Sequence, residues 1–218
     1  MTALNQAEGG ADIRGRIILK AKEKFSTLGY QKTSMAEIAA ELGMSKKTLY
    51  KFFATKKELA EAMIEDVFAQ INRQFDAVLA GALPAIEKLH RLVQILVAQH
   101  FRFTTKIMLE SLYQHLPYLW RRIEKFRRAR MLKNMHTILE QALQEGAVRA
   151  TFNREMFLHF LMGAIQEGMN AEVIVHASYS MSEAIQGLID LFLNGILTPA
   201  GRKQYQQLRR QETALFKV

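Results

Sequence analysis

Lys46, Lys47, Thr48, Tyr50 and Lys51 fall within six consecutive positions, with Ser45 just ahead of them and Leu49 in their midst. Ammonium groups, hydroxyls and a phenol are the groups that hydrogen-bond phosphate oxygens and base edges, so their chemistry is binding a polyanion. On a helix advancing about 100° per residue, Leu49, Phe52 and Phe53 share one side, Lys47 and Lys51 lie opposite, and Thr48 and Tyr50 take the flanks. A two-turn helix is not stable alone, so its Leu and Phe edge must be held on a neighbour with the polar edge outward. Such a helix fits a major groove. Ser45 is placed to cap it, and the free amides of its first turn attract phosphate as well. The next helix begins at Thr55-Lys56-Lys57, which adds a second group of amides flanked by cations.

The elements that must position these groups are legible on both sides. Met35, Ile38, Ala39 and Leu42 define one face of a preceding short helix, and Gly43 permits a sharp turn before Ser45. Apolar residues recur at three and four throughout the chain, and only Pro84, Pro117 and Pro199 interrupt it. The fold class is therefore all-α. Helices are predicted over 12–28, 35–42, 46–52, 56–80, 85–101, 105–114, 117–145, 154–175, 181–196 and 199–214. Ser34 with Glu37, Thr55 with Glu58, and Ser180 with Glu183 fit capping boxes, while Pro117 and Pro199 fit first-turn positions. The expected organisation is a disordered tail over 1–11, a helix-turn-helix domain over 12–60, and a helical-bundle domain over 61–218.

Charge agrees with this division. The 218-residue chain carries a formal +9, and residues 12–60 hold eleven Lys and Arg against five Asp and Glu, about +6 of that total. A basic character concentrated in one quarter of the chain is what a nucleic-acid domain requires. With no cysteine, disulfides and thiolate metal sites are excluded. Neither a signal segment nor an apolar run of membrane-spanning length is seen, so a cytoplasmic protein with no membrane partner is expected. His90, His100, His115, His136, His159 and His176 lack metal-ligand spacing, and no phosphate loop, nucleophile elbow or carboxylate pair stands out. No catalytic residue, metal or cofactor is assigned. A second basic cluster, Arg121, Arg122, Lys125, Arg127, Arg128, Arg130 and Lys133, reads as the solvated coat of a long helix, although an inward arginine there could pair with an acidic ligand.

From Ile13 to Leu59 the chain resembles the DNA-binding domain of the TetR family, through Phe25, Gly29-Tyr30, Thr33-Ser34-Met35, Ile38-Ala39, Gly43-Met44-Ser45-Lys46, Thr48-Leu49-Tyr50, Phe53, Lys56 and Leu59. Lys47 stands where that family often has glycine, and Phe52 where it often has His or Tyr. The resemblance implies a helical homodimer: an N-terminal domain on a pseudo-palindromic double-stranded operator, and a bundle that binds a small-molecule effector and dimerises. It makes Lys46, Lys47, Tyr50 and Lys51 groove and phosphate contacts, joined by Ser45 and Thr48, with Thr33 and Lys56 at flanking phosphates. By resemblance alone, Phe101, Phe103, Met108, Tyr113, Phe126, Met131, Met135 and Phe160 are assigned to an effector pocket. Met156 to Val175 is apolar around much of its circumference and Met181 to Leu197 carries a broad apolar stripe, so both must be covered on more than one side. Two such helices paired with their copies form a four-helix interface, to which Phe157, Gly163, Glu167, Ile185, Leu188 and Phe192 are assigned. The expected function is a repressor released from its operator by an effector. Two other readings are a DNA-binding dimer without an effector and a helical enzyme or carrier with an incidental basic N-terminus.

Overall fold

The structure is a computed structural model that describes residues 2–103, 105–168, 173 and 176–215; the side chains of 2–11, 96, 97, 99–103, 106, 181, 182 and 211–215 lie outside that description. Its helices are α1 (Thr2–Lys32), α2 (Met35–Glu41), α3 (Lys46–Phe52), α4 (Lys56–Ala80), α5 (Ala85–Phe103), α6 (Lys106–His115), α7 (Pro117–Gln144), α8 (Arg154–Gly168), α9 (Met181–Ile196) and α10 (Pro199–Leu215). The starts of the short helices follow the sequence signals closely, because each is fixed by a capping side chain. Ser34 N–H donates to Glu37 Oε2 at 2.8 Å and Ser34 Oγ accepts from Glu37 N–H at 3.2 Å; the pattern recurs at Ser180 and Glu183 with 2.6 and 3.2 Å. At α4 the reciprocal bond slips by one residue: Thr55 Oγ1 accepts from Glu58 N–H, but the Glu58 carboxylate accepts from Ala54 N–H at 2.8 Å. The N-terminus departs from expectation. Helical backbone begins at Thr2, not near Asp12, so the segment read as a disordered tail belongs to α1; its Ala, Leu, Gln and Glu are good helix formers despite Gly9 and Gly10.

The chain divides into two compact units, Met1–Gln70 with Phe101–Ile123, and Ile71–His100 with Glu124–Val218. In the first, Ile17, Ala21 and Phe25 of α1, Ile38 of α2, Leu49 of α3, Phe53, and Leu59 and Met63 of α4 form one core with Met108 and Leu112 of α6 and Leu119 of α7. Helix α6 is tied to α1 by polar contacts too. Tyr30 N–H donates to Ser111 Oγ at 2.7 Å, and Thr105 Oγ1 donates to the Ser26 carbonyl at 2.5 Å. Gly29 ends the regular part of α1 with φ +82°, and a Cβ there would lie 3.3 Å from Ser111 Oγ. The left-handed backbone and the close hydroxyl both favour glycine at this position.

The second unit packs α8, α9 and α10 with α5 and the rest of α7. Phe157 of α8 meets Phe192 of α9 edge to face at 5.6 Å and Phe152 at 5.5 Å. The turn after α7 is pinned to the junction of α9 and α10, with Arg149 N–H on the Ile196 carbonyl at 2.9 Å and Thr198 N–H on the Ala147 carbonyl at 3.0 Å. Gly201 is packed so tightly there that a Cβ would overlap the Ala147 carbonyl oxygen. A fixed backbone atom has no rotamer by which to yield, so Gly201→Ala is expected to destabilise the chain by about 1–3 kcal/mol, the cost of overpacking. Urea unfolding of the two proteins checks this. No helix among the described residues is long and apolar enough to cross a membrane.

Candidate nucleic-acid interface

The turn between α2 and α3 is built by backbone and caps. Gly43 takes φ +65°, Met44 N–H reaches back to the Ala39 carbonyl at 3.0 Å, and Ser45, extended at φ −70° and ψ 150°, accepts from Thr48 N–H at 3.0 Å. This reversal swings α3 across α2. Leu49 is 0% exposed and Phe53 likewise, so the apolar edge is anchored as its spacing predicts. Lys46, Lys47, Tyr50 and Lys51 are exposed. The rotation of α3 inferred from the sequence and the rotation in the structure therefore agree.

The charges around α3 are not all equally available. On α1, Lys20 pairs with Glu23 at 2.6 Å and Glu41 at 3.5 Å, and Lys24 also pairs with Glu41. Among the described residues no carboxylate pairs with Lys46, Lys47 or Lys51, which leaves an uncompensated positive edge beside the open N-terminal amides of α3. That is an anion-binding arrangement. The Thr48 hydroxyl shares a 2.9 Å bond with Ser45 Oγ, so it holds the cap while keeping acceptor capacity.

Thr33 and Lys56 have different surroundings from the α3 residues. Thr33 is buried and its Oγ1 donates to the Gly29 carbonyl at 2.9 Å. Lys56 Nζ donates to the carbonyls of Tyr30 at 2.8 Å and Thr33 at 3.0 Å, and lies 4.3 Å from the Tyr30 ring centroid. Burial pushes this ammonium below its ordinary pKa, against the pull of Glu37. The Lys56 side chain fastens the end of α1 to the start of α4, while the Thr33 hydroxyl closes the end of α1 on itself. A lysine that bonds the carbonyls of Tyr30, Gln31 and Thr33, some two dozen positions away, leaves no periodic trace in sequence.

Of the residues assigned to an effector pocket, Phe101 and Phe103 have side chains outside the described residues. Met108 is core of the first unit and accepts a bond from Ser26 Oγ at 3.6 Å. Tyr113 is exposed and stacks edge-on against Trp120 at 6.3 Å. Phe126 and Met131 are half-buried and Met135 buried, all on α7, whereas Phe160 is 58% exposed on α8. None of the described residues in this group lines the cleft found in the second unit. That cleft, with room for about one water, is lined instead by Leu89, His90, Val93, Gln186, Tyr205 and Arg209.

The residues assigned to a dimer interface divide by exposure. Phe157 and Ile185 are buried within the subunit, Leu188 and Phe192 are half-buried, and Gly163 and Glu167 are exposed. Their exposed neighbours were missed: Met156 at 53%, Phe160 at 58% and Leu191 at 72% present large apolar side chains on α8 and α9. Met156, Phe160, Gly163 and Glu167 share one helical face, at intervals of four, three and four.

The α3 geometry separates anchors from contacts, and substitution can test the separation. Leu49→Ala is expected to cost about 2–5 kcal/mol of stability as a buried truncation. Lys47→Ala and Lys51→Ala should leave stability within about 0.5 kcal/mol, as surface changes do, while weakening duplex binding. Denaturation curves beside anisotropy titrations read both; equal losses of stability would mean that α3 is rotated.

Comparison with known proteins places this geometry in context. Residues 17–63 match the family model described as bacterial regulatory proteins, tetR family. The chain is 24% identical over 182 residues to the uncharacterized HTH-type transcriptional regulator YvaF of Bacillus subtilis (strain 168), covering 83% of this chain and 94% of that one. Its fold is similar to that of the TetR family protein CprB of S. coelicolor A3(2), with TM-score 0.64, 18% identity, and coverage of 93% and 96%. It is also similar to a gamma-butyrolactone receptor (ArpA-like protein), with TM-score 0.60, 18% identity, and coverage of 93% and 97%.

Proposed function

We propose that this chain, whose residues 17–63 match the model of the tetR family of bacterial regulatory proteins, is a DNA-binding transcription regulator: a homodimeric repressor that releases its operator when a small molecule occupies its helical-bundle domain. The observation that carries the DNA-binding part is the presentation of Lys46, Lys47, Tyr50 and Lys51 on a helix anchored by Leu49. In this reading the four side chains enter the major groove, and two copies read half-sites about 34 Å apart, so the operator is a pseudo-palindrome. Work on such an operator sets the protein in the cytoplasm. The exposed Met156 and Phe160 on one face of α8, and the exposed Leu191 on α9, support pairing through these helices, since large apolar side chains left in solvent favour a partner. The effector is supported by fold likeness to a receptor for a small lactone.

The test is selection of a duplex from a random pool, followed by anisotropy titration in rising amounts of a small-molecule cell fraction. Sequence-selective binding by a dimer, lost with the fraction, supports the reading. Sequence-indifferent binding sinks it, and selective binding that no fraction alters favours a regulator without an effector.

Helix α4 is the proposed carrier of the signal. It is continuous over Lys56–Ala80 with neither Gly nor Pro, and about 36 Å long at 1.5 Å per residue. Replacing Gln70 and Ile71 together by glycine softens its middle, and is expected to raise the effector concentration needed for release at least tenfold. Release at the parent's concentration would assign coupling to other contacts.

A further inference from the structure

Asn134 lies on the inner side of α7, 3% exposed, and neither its amide oxygen nor its amide nitrogen has a hydrogen-bond partner in the chain. One turn earlier, Arg130 has a buried Nε without a partner, while its Nη2 donates to the Asn72 carbonyl at 3.3 Å and pairs with Asp76. The Oδ1 of Asn72, on α4, is also buried without a partner. Arg127 precedes Arg130 by three residues and Asn134 follows it by four, so all three project from one face of α7. The sequence alone reads this basic run as a solvated coat. The structure divides it: Arg121, Lys125, Arg128 and Lys133 are exposed, while Arg127 and Arg130 are turned inward.

Buried polar groups are nearly always bonded, and each one left unmet is costly. Here three such side chains occur, Arg130 and Asn134 one turn apart on α7 and Asn72 on α4, and the guanidinium groups of Arg130 and of Arg127 remain charged at any physiological pH. Burial weighs on Arg127 more than the attraction of Glu124 relieves it. Conformational specificity alone would be met by a closed network, and this one is open at both donors and acceptors.

We propose that Arg127, Arg130 and Asn134 of α7, with Asn72 of α4, form the head-group site for an amphipathic carboxylic acid that also carries a hydroxyl. The guanidinium and amide N–H groups are donors for the carboxylate, which matches the planar fork of arginine. The unmet Oδ1 atoms of Asn72 and Asn134 are acceptors, and a hydroxyl is the donor that satisfies them. Phe75, 5.8 Å from the Arg130 guanidinium carbon at its ring centroid, and the buried Met135 supply adaptable apolar surface for the rest of the molecule. This assignment names the effector class and rests on the reading that the protein responds to a ligand.

The probes are 3-hydroxydecanoate and phenyllactate, each beside its primary amide, with the full-length protein and its Arg127→Gln and Asn134→Leu variants. At least one acid is expected to raise the melting temperature with concentration, as a ligand of the native state must, and to bind at least tenfold more tightly than its amide. Each variant is expected to lose at least tenfold in acid affinity, with far-UV circular dichroism confirming that it is folded. Asn134→Leu should melt higher than the parent without acid, because an unmet amide is removed. An unchanged acid affinity in that variant assigns the buried amide to ordered water and overturns the proposal. So does a failure of both acids, or an amide that matches its acid. The ligand-responsive reading fails separately, if no small-molecule fraction releases the parent from its operator; release of parent and variants alike by a fraction keeps that reading and removes this site.

Discussion

Operator binding is expected to weaken by roughly 10³-fold between 50 and 200 mM salt. The free cations on α3 set this figure. Lys46, Lys47 and Lys51 are exposed and unpaired by any carboxylate among the described residues, whereas Lys20 and Lys24 are held by Glu23 and Glu41 and Lys56 by backbone carbonyls. Three cations in each of two protomers displace about six counterions, so the plot of log affinity against log salt should fall with a slope of about −5. Tyr50 adds a hydrogen bond to phosphate without adding to the slope. Lys47→Ala removes one cation per protomer and should flatten the slope by about 2. A slope unchanged in Lys47→Ala but flattened in Lys20→Ala would move the contact face from α3 to α1.

The difference between the two groups of lysines shows what could be read without coordinates. Along α3 the relevant information is periodic: Leu49 and Phe53 must face a core, Lys47 and Lys51 are opposite, and Ser45 and Gly43 mark the turn. Each signal acts over fewer than five residues, so helix boundaries and the rotation of α3 follow from local chemistry. The fastening of Lys56 onto the Tyr30, Gln31 and Thr33 carbonyls is a tertiary contact between segments more than twenty residues apart. A resemblance that assigns Lys56 to phosphate sees the residue type and not its partner. The same limit applies to α6. In sequence its apolar Met108 and Leu112 look like any helix core, and it is tertiary contacts such as Ser111 on Tyr30 N–H and Thr105 on the Ser26 carbonyl that show the helix belongs with α1. A pocket is harder still, because concavity depends on side chains from several helices and leaves no spacing of its own. Met108, Tyr113 and Phe160 are assigned together by resemblance alone, and they lie in a core, beside Trp120, and on an exposed face.

Asp66→Ala is expected to destabilise the protein by about 3 kcal/mol, a large part of the stability of an ordinary domain. Lys22 of α1 is 2% exposed and its Nζ lies 2.5 Å from Asp66 Oδ2 of α4, which also accepts from Gln70 Nε2 at 2.7 Å. Removing the carboxylate takes away the anion 2.5 Å from an ammonium buried in the core of the first unit, so much of that ammonium's desolvation is no longer repaid. Asp66 is 35% exposed, so water relieves part of it and the lower end of the usual 3–5 kcal/mol range applies. Surface pairs behave otherwise: Arg122 with Glu65, at 49% and 48% exposure, should yield less than 1 kcal/mol when broken. Replacing both partners separates charge from packing. Lys22→Met with Asp66→Leu removes the buried ions and keeps apolar volume, so the double variant should recover most of the loss and could exceed the parent. Guanidinium denaturation of the parent, both single variants and the double variant completes the cycle. If the double variant is as unstable as Asp66→Ala, the pair is needed for the shape of the α1 and α4 contact and not only to neutralise a buried lysine.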